Sequence, residues 1–178
     1  MHRPRVLFVA AGLAAAAILA GACAGPSTGT EIRSHEPRDE PRPSSVPATV
    51  AANSALGAAL YRALAGRGGN FVFSPYAVSV GLAMAQAGAG GTTEEQLNTV
   101  QHVVPGQDLE SGLNTLSQLL SGRNGDQQND VRKGRISLET PDSLWGQKDT
   151  RFNQSFLDSL SRTFGTGIRV VDFRSDPE

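Results

Sequence analysis

The chain has 178 residues, 39% of them hydrophobic and 19% charged, an ordinary globular balance that allows one domain. Sixteen basic residues against seventeen acidic give a formal charge of −1, which excludes a global pull toward nucleic acid or membrane phosphate. The single cysteine, Cys23, excludes an internal disulfide framework.

Residues 1–22 read as an export signal. Arg3 and Arg5 form a basic start, Val6 to Ala22 is uncharged and rich in Ala and Leu, and Ala20 and Ala22 give the small-x-small pattern of a cleavage site. The apolar run is short for a membrane span and no basic stop follows it. Cys23 follows directly. Leu19-Ala20-Gly21-Ala22-Cys23 resembles a bacterial lipobox, which implies a lipid on Cys23 and an anchor on the outer face of a bacterial membrane. Ala20 stands where such boxes usually carry Leu, and Ala20-Gly21-Ala22 also suits ordinary signal peptidase, so a plain secreted protein with a spare thiol is the alternative.

Residues 23–47 read as a tether. Pro26, Pro37, Pro41, Pro43 and Pro47 alternate with Glu31, Arg33, Glu36, Arg38, Asp39, Glu40 and Arg42, without any apolar period. Such a segment is expected to stay extended and hold a domain away from a surface. Once Arg3 and Arg5 are removed, 14 basic and 17 acidic residues leave a mature charge of −3, a further argument against a nucleic-acid partner.

The domain is expected from Ala48. Ala52, Leu56, Leu60, Ala63 and Leu64 recur at helical spacing, and Gly66, Gly68 and Gly69 end that helix. Phe71-Val72-Phe73 has no polar alternation and reads as a strand buried on both faces. Ser74 is placed to cap a helix and Pro75 to occupy its first position, where the missing amide costs nothing. From Tyr76 to Ala87 only Ser79 and Gln86 are polar, so this helix is expected to be buried all round. Gly88, Gly90 and Gly91 stop it. They do not form a dinucleotide fingerprint, because Thr93 replaces the third glycine and a helix, not a strand, precedes them. Thr93 and Gln96 read as a capping box with Glu94 and Glu95 in the first turn, and Leu97 and Val100 as the apolar contacts of that short helix.

After Pro105 and Gly106, the leucines 109, 113, 116, 119 and 120 predict an amphipathic helix from Asp108 to Ser121. Gly122 to Arg135 reads as a polar loop whose cluster of Arg132, Lys133 and Arg135 lacks the aromatics of a nucleic-acid surface. Ile136 to Gln147 reads as a strand bulged or edged by Pro141. Phe152, Phe156, Leu157, Leu160 and Phe164 share a helical face ended by Gly165. Asn153-Gln154-Ser155 is a formal glycosylation sequon, discounted because Asn153 serves equally as a helix start. Ile168 to Phe173 predicts a last strand.

This order of elements resembles the N-terminal part of a serpin, over Ala48 to Glu178. Asn70-Phe71-Val72-Phe73-Ser74-Pro75 is similar to the family's sixth strand of sheet B entering helix B. Leu82-Ala83-Met84 and Gly88-Ala89-x-Gly91-x-Thr93 are similar to its continuation, and Glu95-Gln96-Leu97 to helix C. Leu138 to Trp145 looks like the second strand of sheet A, Phe152 to Gly165 like helix E, and Val171-Asp172-Phe173 like the end of the first strand of sheet A. The resemblance implies an α+β serpin fold, N-terminal portion, with helices A–E and the first strands of sheets A and B, truncated before helix F. Its structural markers are Asn70, Phe73, Ser74, Pro75, Leu82, Met84, Gly88, Gly91, Thr93, Asp172 and Phe173.

The chain departs from the family in three places. Pro141-Asp142 stands where the family usually has Ala-Asn. Ala77 replaces a serine of the gate region. The Asp108–Ser121 helix has no Lys or Arg, so polysaccharide binding through helix D does not carry over.

The resemblance implies an inhibitor of serine or cysteine proteases, in which a cleaved bait loop inserts into sheet A as an extra strand. That reactive centre and its receiving strands would lie beyond Glu178. The expectation is therefore a fragment that does not inhibit by itself. A self-standing surface module that reuses half the fold is the alternative. An enzyme is not expected. His2, His35 and His102 are dispersed, Cys23 lies outside the domain, and no catalytic constellation, metal cluster or cofactor motif can be assembled.

Overall fold

The computed structural model describes residues 30–66, 68–128, 133–138 and 140–175. The export signal, Cys23 with its lipobox, and Arg132 lie outside the described residues. The elements run β1 (Glu31–Ile32), a 3-10 turn (Pro43–Ser45), α1 (Val46–Ala65), α2 (Pro75–Gln86), α3 (Thr92–Val100), α4 (Leu109–Ser121), β2 (Gly125–Gln128), β3 (Lys133–Ile136), β4 (Leu144–Gln147), α5 (Gln154–Ser159) and β5 (Ile168–Val171). A π turn, Leu160–Phe164, prolongs α5 until Gly165 ends it in the left-handed conformation, φ 66°. The architecture is α+β.

The main sheet has the order β1-β5-β4. β4 and β5 are parallel, with Leu144 opposite Ile168 and Gln147 opposite Val171. A parallel pair cannot be closed by a tight turn, and α5 with its π turn supplies the crossover. β2 and β3 form a separate antiparallel hairpin, Asp126 opposite Arg135 and Gln128 opposite Lys133. The core is closed by Ala52 of α1, Val80, Ala83 and Met84 of α2, Leu109 and Leu113 of α4, Leu157, Leu160 and Ile168. Full burial of each leucine or isoleucine contributes about 1.5–3 kcal/mol.

α4 forms as its sequence predicts. Asp108 caps it, accepting from the Ser111 amide at 2.9 Å. Its leucines at 109 and 113 face the core, while Asn114 and Thr115, polar and fully buried, face elsewhere. What they face is the segment read as a solvated tether. From Thr30 to Ser45 that segment is a docked strap. Asn114 Nδ2 and Gln118 Nε2 both donate to Asp39 O, at 2.9 and 3.0 Å. The Arg42 amide donates to Thr115 Oγ1 at 2.7 Å, and Arg38 Nε to Asn114 Oδ1 at 2.9 Å. A segment without an apolar period can still order when the body supplies buried polar partners for its backbone. α1 likewise begins at Val46, with Pro47 in its first turn, two residues before the expected boundary.

Other expectations are corrected. Phe71-Val72-Phe73 is extended but belongs to no sheet, and Val72 is 98% exposed, because no described strand lies beside it to take its hydrogen bonds. α2 is buried on one side only: Ser79, Val80, Ala83 and Met84 are covered, while Ala77, Val78, Gly81 and Ala85 face solvent. Gly91, at φ 57°, is the N-cap of α3, so Thr93 lies inside the first turn and makes no capping box; a glycine adopts that backbone without a Cβ penalty. Glu94 and Glu95 do sit in the first turn. The polar stretch Gly122–Arg135 contains β2 and three of the four residues of β3, a hairpin carried by backbone pairing with no apolar alternation to announce it. Of the single strand read over Ile136–Gln147, only Ile136, the last residue of β3, and Leu144–Gln147, which is β4, are strand, and Pro141 lies between them, outside any ladder.

α1 and α4 approach so closely that a Cβ at Gly112 would collide with Thr49 Oγ1 and lie 2.7 Å from Thr49 Cβ. Thr49 is itself fully buried and its hydroxyl has no hydrogen-bond partner. Gly112→Ala is expected to destabilise the protein by about 2 kcal/mol through overpacking. Adding Thr49→Ala should return most of that loss, a non-additivity that a denaturant double-mutant cycle measures.

Candidate functional site

The marker residues converge on α2 and its two flanks. Asn70 and Phe71 are exposed, and Phe73 is half-buried. Phe71 sits between Tyr61 of α1 and Phe73, with ring centroids 5.8 and 6.0 Å away, so an aromatic row leads into the helix. Ser74 then caps α2: its Oγ accepts from the Ala77 amide at 3.2 Å, as its position before Pro75 predicts. Pro75 lies against α1 at Gly57, where a Cβ would come 2.9 Å from Pro75 Cγ.

Within α2, Met84 is buried in the core and Leu82 half-buried. The two polar residues of the helix, Ser79 and Gln86, hold α3. Ser79 Oγ donates to Gln101 Oε1 at 3.3 Å, Gln101 Nε2 to Gln86 Oε1 at 2.7 Å, and Gln86 Nε2 to Asn98 Oδ1 at 2.8 Å. This ladder of amides fixes the α2–α3 angle in a way apolar contact alone does not. Its sequence signal was the pair of polar residues in an otherwise apolar helix. Gly88 lies on the face of Phe156, 3.1 Å from a ring carbon at its would-be Cβ, and so couples the end of α2 to α5.

The other flank is the β4–β5 pair. β4 is at the edge of the sheet, its outer side unpaired among the described strands. Trp145 is exposed on it, donating from Nε1 to Ser143 Oγ at 2.9 Å, with the Arg169 guanidinium of β5 stacked 5.5 Å from its ring centre. Gly146 leaves space for Phe152, whose Cζ would be 2.6 Å from a Cβ there. Asp172 and Phe173 do not meet the α2 markers. Phe173 is about half exposed, and Asp172 acts locally at the end of β5.

Between α4, the segment at 138–142 and the end of the π turn lies a polar cavity of about 380 Å³, lined in part by Arg38, Ser117, Asn124, Thr140, Asp142 and Thr166. Burial lowers the pKa of Arg38 and raises those of Asp142 and Tyr76. Arg38 Nη2 is buried without a partner. Among the described residues no three His, Cys, Asp or Glu side chains are grouped to hold a metal ion. The site consists of a capped helix with one apolar side open to solvent and, separately, of β4, whose outer side is unpaired among the described strands. An unpaired strand edge can receive a further strand.

Comparison with known proteins agrees with this geometry. The family profile "Serpin (serine protease inhibitor)" matches residues 51–178. The leukocyte elastase inhibitor of Xenopus tropicalis is 31% identical over 110 residues, covering 62% of this chain and 27% of that protein. An uncharacterized serpin-like protein of Thermococcus kodakarensis is 29% identical over 118 residues, covering 66% and 26%. A crystal structure of maspin superposes with a TM-score of 0.58 at 25% identity, over 77% of this chain and 34% of that one. The chain spans about a quarter of the length of the curated relatives it matches.

Asp172 provides a local test of the β5 terminus. Hydrogen bonds from the Ser175 side chain, from Gln147 Nε2 at 3.1 Å and from the Arg174 amide at 3.1 Å hold its carboxyl at about 2, below the ordinary 3.8. A carboxylate lowered on folding stabilises the fold fully above its unfolded value and loses that contribution as pH falls toward 2. An NMR titration should place the Asp172 midpoint near 2, with Ser175→Ala or Gln147→Ala moving it up toward 3.8.

Proposed function

Because the chain belongs to the serpin family, whose members are protease inhibitors rather than enzymes, we propose that its residues are the N-terminal support of an inhibitor of serine or cysteine endopeptidases. In this reading α1 to α5 form the platform, and β4 and β5 are the first strands of the sheet that receives the cleaved bait loop.

One observation carries the reading: the apolar side of α2 that the described residues leave open. Ala77, Val78, Gly81 and Ala85 face solvent there, next to Phe71-Val72-Phe73, an extended segment with no strand beside it. Apolar surface and unpaired backbone of this kind suit a face meant to be covered by further strands. Relatives about four times the matched length are consistent with such strands being supplied in a whole inhibitor.

Export and anchoring are part of the proposal. The Arg3/Arg5 start, the apolar run and the lipobox-like Leu19-Ala20-Gly21-Ala22-Cys23 support a lipid on Cys23 at the outer face of a bacterial membrane. Neither a nucleic-acid partner nor a cofactor enters the mechanism.

Two measurements test this. Mixed with a panel of serine and cysteine proteases, the 178 residues alone are expected to give no SDS-stable covalent complex, whereas a version extended to the length of its relatives with a bait loop is expected to form one. A covalent complex with the 178 residues overturns this division of roles. Intact-mass analysis of the membrane-extracted protein should show a mature N-terminus at Cys23 carrying a diacylglyceryl group; an unmodified Cys23 overturns the anchor.

A further inference from the structure

Residues 30–45 touch three separate parts of the body. At the first, Thr30 O accepts from the Val170 amide at 3.0 Å, Glu31 Oε1 accepts from the Gly167 amide at 2.8 Å, and β1 lies antiparallel on the outer edge of β5, Ile32 opposite Ile168. At the second, Arg33 Nη2 donates to Gly165 O at 2.6 Å, Ser34 Oγ to Asp158 Oδ1 at 2.5 Å, and Ser161 Oγ to Glu36 O at 2.7 Å. At the third, Arg38, Asp39 and Arg42 run along α4, and Arg38 closes one wall of the polar cavity.

The body is shaped to this path. A Cβ at Gly167 would collide with Ile32 O and lie 2.9 Å from Arg33 Cβ, and one at Gly165 would lie 3.1 Å from Arg38 Cδ. Yet the strap holds on by polar contacts. Ile32 is its one side chain packed against the apolar core among the described residues. Its two ion pairs, Arg42–Asp108 and Asp39–Arg162, are exposed and contribute little in water.

What the strap covers is more adhesive than the strap. β5 reads Ile168-Arg169-Val170-Val171, rich in β-branched residues, and without β1 its outer side presents unpaired backbone groups. β1 answers that edge through its backbone, Glu31 in register with Arg169, and through the Glu31 carboxylate on the Gly167 amide. We propose that residues 30–45 are a releasable strap that denies the outer edge of β5 to a second copy of this chain, and that losing strap docking lets two copies pair through that edge. The occupant is a second copy because the feature that strap release exposes is a backbone ladder of high strand propensity, and an unpaired strand edge of that kind templates pairing with its own kind.

The mature chain tests this directly. Trypsin can cut the strap at Arg33–Ser34 and Arg38–Asp39, whereas Pro43 blocks cleavage after Arg42. In the docked state both bonds are protected relative to the urea-unfolded chain. Gly167→Ala, which strikes the strap and not the core, is expected to speed cleavage at Arg38 about tenfold or more by raising the open population. At matched concentration it should also sediment as a larger species than the unsubstituted chain. In that species the Val170 amide, bonded to Thr30 O in the strapped form, should be protected from hydrogen exchange again. If far-UV dichroism shows that Gly167→Ala disturbs the helices, Ser161→Ala, which removes only the bond to Glu36 O, makes the same comparison.

Four results overturn the proposal. They are unprotected Arg38 in the unsubstituted chain, protection unchanged in both variants, a freed strap with no change in association, and an associated species in which the Val170 amide stays open. A covalent complex with protease or an unlipidated Cys23 would leave these readouts untouched, so this inference and the proposed function fail separately.

Discussion

The packing of α4 is the constraint on which the rest of the body depends. One side of the helix places Leu109 and Leu113 in the core, and Gly112 lets the Thr49 side chain of α1 come so near that no Cβ fits at position 112. The other side turns Asn114, Thr115 and Gln118 to the strap, which consumes their hydrogen-bonding capacity on Asp39 O, Arg38 and the Arg42 amide. A buried polar residue on an amphipathic helix is costly unless partnered. The partners here come from some 75 residues earlier in the chain, so the strap and the helix justify each other. With the strap released those groups turn to water; without α4 the strap loses its main hydrogen-bond partners.

A second constraint follows at α2. The helix is tied on one side by Val80, Ala83 and Met84 in the core and by the amide ladder to α3, and left bare on the other. Rigidity on the tied side keeps the bare side in a fixed place. The cap at Ser74 and the contact of Pro75 with Gly57 fix the start of the helix in the same way. The parallel β4–β5 pair sets the adjoining strand edge by the same logic, since its crossover through α5 and the π turn puts Phe152 and Phe156 beneath the sheet and beneath Gly88.

Much was legible before any coordinates. Helix periods at Leu109–Leu120, the Ser74-Pro75 start, the Gly165 stop and the β-branched run at Ile168 are local signals that depend on neighbours a few residues away, and each produced its element. The same signals, taken together, carried the resemblance to a family. Three readings failed for one shared reason, which is that each concerned a pairing with something distant. Phe71-Val72-Phe73 has strand composition but no strand to join. The stretch from Gly122 to Arg135 lacks apolar alternation yet pairs through its backbone. The Pro-rich segment lacks an apolar period yet docks.

The sequence by itself determined where α2 and α4 begin, where the helix after Asn153 ends, and the α+β order of elements, because those follow from side-chain size, caps and period within a few turns. Only the tertiary structure decided which apolar face of α2 is covered, that Gly112 is the contact between α1 and α4, and that residues 30–45 close the edge of β5. Those depend on where backbone donors and acceptors far apart in the chain find each other, and no local pattern of residues records that.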